Sequence, residues 1–285
     1  MADQPPDPRR TLDAVGPDQR QAVRSVVLLL CPKLGNKGTG FLVEQGVVVT
    51  TAHVVAGARP SEVVGVDVEG NHVVFRRMWI DARRDLAALR PSRRLTGGLR
   101  LAARDTGLEP GLAVSTWGYP LGHVGTTPLL SVGYLAGFAA TASARGHVKQ
   151  LIVNGAFNAG NSGGPLFRAG DGTVIGVVAS KHAPMSPFVS SAIEALSSNP
   201  RGSAYLARNA KGEQRKYVES QLVAEVLTYL HGLAQVMIGQ AVCASEVRRF
   251  LRNVDRRERG RPAAGGPASP RSAGLSARRA RSAAR

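Results

Sequence analysis

Cysteine is scarce in this 285-residue chain: only Cys31 and Cys243 are present. Two cysteines cannot build a disulfide framework, and neither stands in a metal-ligand spacing, so a stapled mini-fold and a cysteine-held metal module are excluded. Two reduced thiols are expected. Aromatic residues make up 5% of the chain, too few for a surface that stacks successive bases of a single strand. Long apolar runs are missing as well. SVVLLL (25–30) is far too short to span a bilayer, and the stretch 222–244 is interrupted by Glu225, His231, Gln235 and Gln240. The polar, acidic start, MADQPPDPRRTLDAVGPDQR, has no apolar core of a secretory leader. A cytoplasmic protein without a membrane span is the expectation.

Hydrophobic residues account for 43% of the sequence, which excludes wholesale disorder. The net charge of +17 is unevenly spread. From Arg248 to the end there are 12 Arg and two acids, Asp255 and Glu258, a net of +10, which leaves +7 for the other 247 residues. Such a tail is a candidate for anion or nucleic-acid binding.

Organisation follows the same unevenness. Residues 1–22 read as a flexible arm. From about 24 to 180 come short runs rich in Val, Leu and Ile, among them SVVLLLC, VVVTTA, HVVFRRMWI, LLSVGYLAG and VIGVVAS. Gly, Pro, Asn and Asp clusters such as KLGNKGTG and RAGDG separate them, a pattern of an all-β barrel or sandwich. After Pro184 apolar residues recur at three- and four-residue steps, through Tyr217, Val223, Val226, Leu227, Leu230, Leu233, Met237 and Val242. That spacing predicts helices over 201–255, broken by Gly232 and Gly239. Residues 256–285, nearly all Arg, Ala, Gly, Pro and Ser, read as a disordered tail.

The sharpest motif is Gly160-Asn161-Ser162-Gly163-Gly164-Pro165-Leu166. A serine hydroxyl attacks a carbonyl only when a base takes its proton and donors stabilise the oxyanion. Glycines around Ser162 permit a tight turn, with the Gly160 and Ser162 N–H groups aimed at one spot. The same residues fit the G-x-S-x-G elbow of α/β-hydrolases. An elbow enters a helix, however, whereas Gly163-Gly164-Pro165 leads into another strand-like run. Upstream, VVTTAHVV displays His53 at a strand end, and Asp85 heads the apolar run DLAAL. A carboxylate there needs a partner: Arg83, Arg84 or the Nδ1–H of His53. Asp81 is a second candidate for the same role.

In the order His…Asp…Ser on a β background, these stretches resemble the trypsin-like serine peptidases of the chymotrypsin fold, nearest the Deg/HtrA branch. GTGFLV, VVVTTAHVV, DLAAL, LLSVGYLAG, NAGNSGGPLF and VIGVVAS carry the resemblance. It implies a mostly β fold: two six-stranded antiparallel β-barrels over residues 23–200, followed by the helical appendage. It also implies His53 as general base, Asp85 as its orienter, Ser162 as nucleophile, and Gly160 and Ser162 N–H as the oxyanion hole. Neither a metal nor an organic cofactor is implied, and polypeptide is the implied substrate.

Three departures shape further expectations. Asn161 is neutral where digestive-type relatives carry the acid that pairs with a new N-terminus, so control by loop ordering or assembly is expected instead of zymogen cleavage. No accessory PDZ pattern follows residue 200. The usual Gly-rich wall of the substrate pocket is replaced by residues 180–200, which contain no Gly. With Ala156 six residues before the nucleophile and Ser180 at the wall, the pocket is expected to favour small or medium aliphatic side chains. Two partner expectations complete the picture: homo-oligomers through the C-terminal helices, and, as an alternative function class, an anion-binding or assembly module that uses the basic tail.

Overall fold

A computed structural model describes residues 8–143, 146–181, 187–208, 214–233 and 238–260. Twelve of its strands close two antiparallel six-stranded barrels. The first runs in the order β1 (Val26–Cys31), β2 (Asn36–Leu42), β3 (Val48–Thr50), β6 (Leu86–Pro91), β5 (His72–Asp81) and β4 (Val64–Val66), with β4 pairing back onto β1. The second joins β10 (Pro165–Arg168), β11 (Val174–Lys181), β14 (Ile238–Cys243), β9 (Gly146–Gly155), β8 (Leu129–Ser143) and β7 (Ala113–Gly118).

Strand alternation explains why the apolar runs are continuous. Successive side chains point to opposite faces. Val27, Leu29 and Cys31 fill the first barrel, while Val26 and Leu28 enter a second cluster between the barrels and their covering helices. β6 divides in the same way, with Ala87 and Leu89 inside and Leu86 and Ala88 in the seam. Both faces of these strands are buried, so both must be apolar. Cys31 lies in the first barrel's core and Cys243 in the second's, both as free thiols.

Several expected boundaries are corrected. Residues 8–25 are not a flexible arm: they form α1 (Pro8–Ala14) and α2 (Pro17–Ser25). Leu12, Ala22 and Val23 are buried in the seam, and Gln19 Oε1 accepts the Trp117 indole N–H at 2.7 Å. A few apolar anchors offset the ordering entropy of this short segment. The two-barrel body does not end at residue 200, because β14 closes the second barrel and α6 (Ala244–Arg259) packs on it. The expected helical appendage over 201–255 is therefore three things. Residues 182–237 are an insertion between β11 and β14, whose described parts are α4 (Pro187–Ser198), a hairpin of β12 (Ala204–Arg208) and β13 (Gln214–Val218), and α5 (Glu219–Leu233). The other two are β14 and α6. Tyr217 and Val242, read as helical by spacing, are on strands.

The expected tail begins too early as well, since α6 continues through Arg256 and Arg257 to Arg259. The rest of it, residues 261–285, lies outside the described residues. α6 buries Val247, Phe250, Leu251 and Val254 against the seam, the i, i+3, i+4, i+7 stripe of an amphipathic helix. No described helix is long and apolar enough to cross a membrane.

Candidate active site

His53 stands on α3 (Ala52–Val55), a single turn immediately after β3. Three bonds fix that turn to the rest of the first barrel. Ala52 N–H donates to Asp85 O at 3.1 Å, and Asn36 Nδ2 donates to the carbonyls of His53 and Val54 at 3.2 and 3.3 Å. Asp85 ends the β5–β6 turn and receives His53 twice. Its Oδ1 accepts the His53 backbone N–H at 2.9 Å and its Oδ2 accepts Nδ1–H at 2.7 Å. A carboxylate can only accept, so Nδ1 carries a hydrogen, and in the neutral imidazole the lone pair falls on Nε2. Asp85 has φ +52°, the one non-glycine residue at positive φ among the described residues; Asp is among the few residue types that tolerate that region.

Of the partners open to Asp85, His53 is the one it takes. Arg84 turns away to Asp81 and Glu246, with Nη1 donating to Asp81 Oδ2 at 2.6 Å. Asp81, the second candidate, accepts from Arg84 and makes no bond to His53 among the described residues.

Ser162 lies in the turn between β9 and β10. Asn161 N–H donates to Asn158 O at 3.0 Å and Gly164 N–H to Asn161 O at 2.9 Å. Two positions require glycine. Gly160 has φ +93° and Gly163 φ +88°. A Cβ on Gly160 would run into Tyr119 O, and one on Gly163 into Thr39 O and Thr50 Oγ1. The loop is thus pressed directly onto the first barrel. Thr39 of β2 makes the join: its N–H donates to Ser162 O at 2.9 Å and its hydroxyl to Gly160 O at 2.7 Å. That hydroxyl also accepts Tyr119 N–H at 3.0 Å, while Thr39 O accepts the Thr50 hydroxyl at 2.7 Å.

The peptide planes follow from these bonds. Leu121 N–H holds Ala159 O at 2.6 Å, and Gly164 N–H holds Asn161 O. In a trans peptide the next N–H points the opposite way. The amides of Gly160 and Ser162 are therefore turned away from those donors, and they bond to no acceptor among the described residues. Lys37 steadies the same region by donating to Pro120 O at 3.3 Å and His123 O at 2.7 Å, and burial holds its ammonium below the usual lysine value.

The structure brings His53 and Asp85 into direct contact and docks the Ser162 backbone onto β2, beside β3 and α3. No hydrogen bond joins Ser162 Oγ to His53 among the described residues. Asn161 is fully buried, and neither atom of its amide finds a partner. Ala156 is exposed, and the next residue, Phe157, is buried in the second barrel's core. Ser180 sits on β11 opposite Gln240, two residues after Val178, whose backbone pairs with Gly163 and Gly164 at 2.7 and 2.9 Å. A cavity of about 670 Å³ lies elsewhere, lined by Arg20, Arg24, Arg93, Arg94, Asp67 and Glu69 among others, and touches none of these residues. Among the described residues no group of His, Cys, Asp and Glu could hold a metal ion. Sequence reasoning missed Thr39, Thr50 and Lys37. The one local signal was a Thr between two glycines in GTGFLV.

Residues 38–177 match the trypsin-like peptidase domain family. The serine-protease homologue HhoA of Synechocystis sp. is 30% identical over 151 residues, 51% of this chain and 37% of that protein. A periplasmic DegP-like serine endoprotease homologue of Halomonas elongata is 32% identical over 142 residues, 49% of this chain and 28% of that protein. The chain thus matches about a third of the length of these relatives. Among solved structures, the active form of the Rv3671c protease from M. tuberculosis aligns with a TM-score of 0.57 at 19% identity, covering 93% of this chain and 95% of that one. The HtrA-type protease AlgW with a tripeptide aligns at 0.56 and 17% identity, covering 89% and 65%. At these identities the two structures show the fold.

Proposed function

We propose, from the match of residues 38–177 to the trypsin-like peptidase domain family and from the likeness to HtrA/DegP-like relatives, that the chain is a serine endopeptidase that cuts polypeptides through an acyl-enzyme. The observation that carries the proposal is the double bond of Asp85 to His53, through the backbone N–H at 2.9 Å and Nδ1 at 2.7 Å. It fixes the tautomer of the neutral imidazole, in which the lone pair is on Nε2 and can act as a base.

In the first step Ser162 Oγ attacks the scissile carbonyl carbon and its proton passes to His53 Nε2. Asp85 stabilises the imidazolium that forms without taking the proton. The carbonyl oxygen becomes an oxyanion, for which the outward-turned N–H groups of Gly160 and Ser162 are the donors. One such donor is worth on the order of 10²–10³ in rate. Collapse breaks the C–N bond, His53 Nε2 protonates the leaving amine, and an ester to Ser162 remains. Water, deprotonated by His53, then attacks the ester; the acid is released and Ser162 recovers its proton.

Activation proceeds by ordering or assembly and involves no new N-terminus. A neutral, buried Asn161 offers such an N-terminus no counter-charge. The open Ser162–His53 link fits a site that closes when substrate binds, since hydrogen bonds of this kind tighten in the substrate complex.

The test is fluorophosphonate labelling and digestion of casein by the wild type, Ser162→Ala and His53→Ala. Labelling that requires both residues is the expected result. Unchanged casein cleavage by Ser162→Ala would sink the proposal.

A further inference from the structure

Asp85 is held in an unfavourable backbone conformation at the end of a turn whose own bond is weak. Asp85 N–H reaches Ala82 O at 3.4 Å, the long end of the range for a hydrogen bond. Beyond its bonds to the α3 turn, its orientation depends on what flanks it. On one side Leu86 is packed in the seam. On the other, Arg84 is 7% exposed and its Nε donates to Glu246 Oε2 at 2.7 Å, with Glu246 only 3% exposed. The charges around this pair nearly balance. Arg84 also binds Asp81, and Glu246 accepts from Arg249 at 3.3 Å. Burial works against the Arg84 charge, but the bonds to Glu246 and Asp81 raise its pKa above the ordinary value.

Glu246 lies in the first turn of α6, three residues after β14 ends at Cys243. A second pair repeats the pattern at the other end of the helix. Arg90 of β6 holds Glu258 through Nε at 3.2 Å and through Nη2. Twelve helical residues from 246 to 258 rise about 18 Å; Arg84 stands in the turn before β6 and Arg90 within β6 itself. α6 is thereby tied at one end to the turn that carries Asp85 and at the other to β6. It leaves the barrel that carries Ser162 and grips the strand that begins just after Asp85.

We propose that Arg84 and Glu246 are positioning residues for Asp85, and that α6 is a splint setting the acid of one barrel in register with the nucleophile of the other. The proposal rests on the peptidase reading for its consequence in rate, although the placement of Asp85 can be read without turnover. A buried ion pair adds little net stability compared with an apolar replacement, so its role here is geometric. The near pair, which flanks Asp85, governs catalysis. The far pair only staples the helix.

Three variants of the full chain test this: Glu246→Gln, Arg84→Lys and Arg90→Gln. Each is compared with the wild type by thermal melting, by kcat and KM on an unstructured polypeptide, and by the low-field proton NMR signal of the His53–Asp85 bond. Gln keeps the shape of Glu246, and Lys keeps the charge of Arg84 but lacks the rigid planar fork that spans both carboxylates. The expected result is a folded Glu246→Gln with kcat lowered about 10- to 100-fold, the cost of an ångström-scale misplacement, and with KM little changed. Its low-field signal is lost or broadened, and Arg84→Lys behaves alike. Arg90→Gln melts earlier but keeps both kcat and the signal. Folded Glu246→Gln or Arg84→Lys with wild-type signal and kcat overturns the proposal, as does an equal loss of both in Arg90→Gln. A wild type that shows the signal but no Ser162-dependent labelling overturns the peptidase reading alone; the signal in Glu246→Gln then still decides the placement of Asp85.

Discussion

The hydroxyl of Thr39, on β2 of the first barrel, donates to the carbonyl of Gly160 in the Ser162 turn of the second at 2.7 Å. The same oxygen accepts Tyr119 N–H, so one buried hydroxyl satisfies a group on either side of it. It fixes the peptide between the two proposed oxyanion donors.

Thr39→Val keeps the shape and deletes both bonds. A buried carbonyl and a buried N–H are left unpaired, at about 1–3 kcal/mol each. The expected outcome is a loss of kcat/KM of about tenfold or more as the Gly160 and Ser162 amides lose their common direction. Thr39→Ser should restore most of it. The comparison is made by steady-state kinetics and by the rate of fluorophosphonate labelling; equal rates for the Val variant and the wild type would remove Thr39 from the machinery.

Asp85→Asn separates charge from shape. Asn tolerates a φ of +52°, so the fold and its circular dichroism should be unchanged. An amide oriented to bond the His53 backbone N–H can present its NH₂ to Nδ1, which favours the wrong tautomer. A fall in kcat of about 10⁴-fold is expected. A fall of less than tenfold would mean that His53 does not depend on Asp85.

Asn161→Asp tests why this buried position is neutral. The new carboxylate would be desolvated with no cation beside it, a situation worth about 3–5 kcal/mol against the folded state at neutral pH. Such an acid has a raised pKa in the folded state. At a pH below the ordinary Asp value, near 4, it is protonated folded and unfolded alike and the penalty vanishes. The penalty grows as pH rises above that value and the unfolded chain ionises. Denaturant melts of the variant and the wild type should therefore diverge with rising pH; parallel curves would contradict the assignment.

The insertion should be removable. Lys181 of β11 and Gly239 of β14 are cross-strand partners, so a short Gly-containing turn in place of residues 182–237 can close the second barrel as a hairpin. The shortened chain is expected to melt cooperatively and to label at Ser162. Failure to fold would show that the insertion belongs to the barrel's own core.

Burial pushes the Cys243 thiol up to about 12 and raises that of Cys31. Neither should react with a maleimide at pH 8 until the chain unfolds. By linkage, stability should fall as pH rises from the ordinary thiol value of 9.0 towards about 12, because the unfolded chain then loses a proton that the folded one keeps. Cys243→Ser should flatten that alkaline slope.

Much of the molecule was legible in its sequence, for a physical reason. Strand runs, glycine turns and the settings of His53, Asp85 and Ser162 are properties of five to ten neighbouring residues, and backbone sterics and side-chain alternation act at that range. The residues of α6 fell largely within the helices expected over 201–255, although the spacing that predicted them ended at Val242, before the stripe of α6 begins. β14 was misread because IGQAVC is short enough to suit either period, and its strand character comes from pairing with β9 and β11. The leading helices were missed because their few anchors matter only once the seam exists to receive Leu12 and Val23.

What only the tertiary structure decided is who bonds to whom across the chain. Thr39 meets Gly160 over 121 residues and Arg84 meets Glu246 over 162. No local pattern encodes such a pair, since each partner alone is an ordinary polar residue. Asp85 bonds His53 and not its neighbouring arginines for the same reason: Arg84 bonds Glu246 and Asp81, and Arg83 reaches His147 O at 3.4 Å. The sequence determined which groups could do chemistry. The closure of two barrels against one helix determined which of them stand within reach of each other.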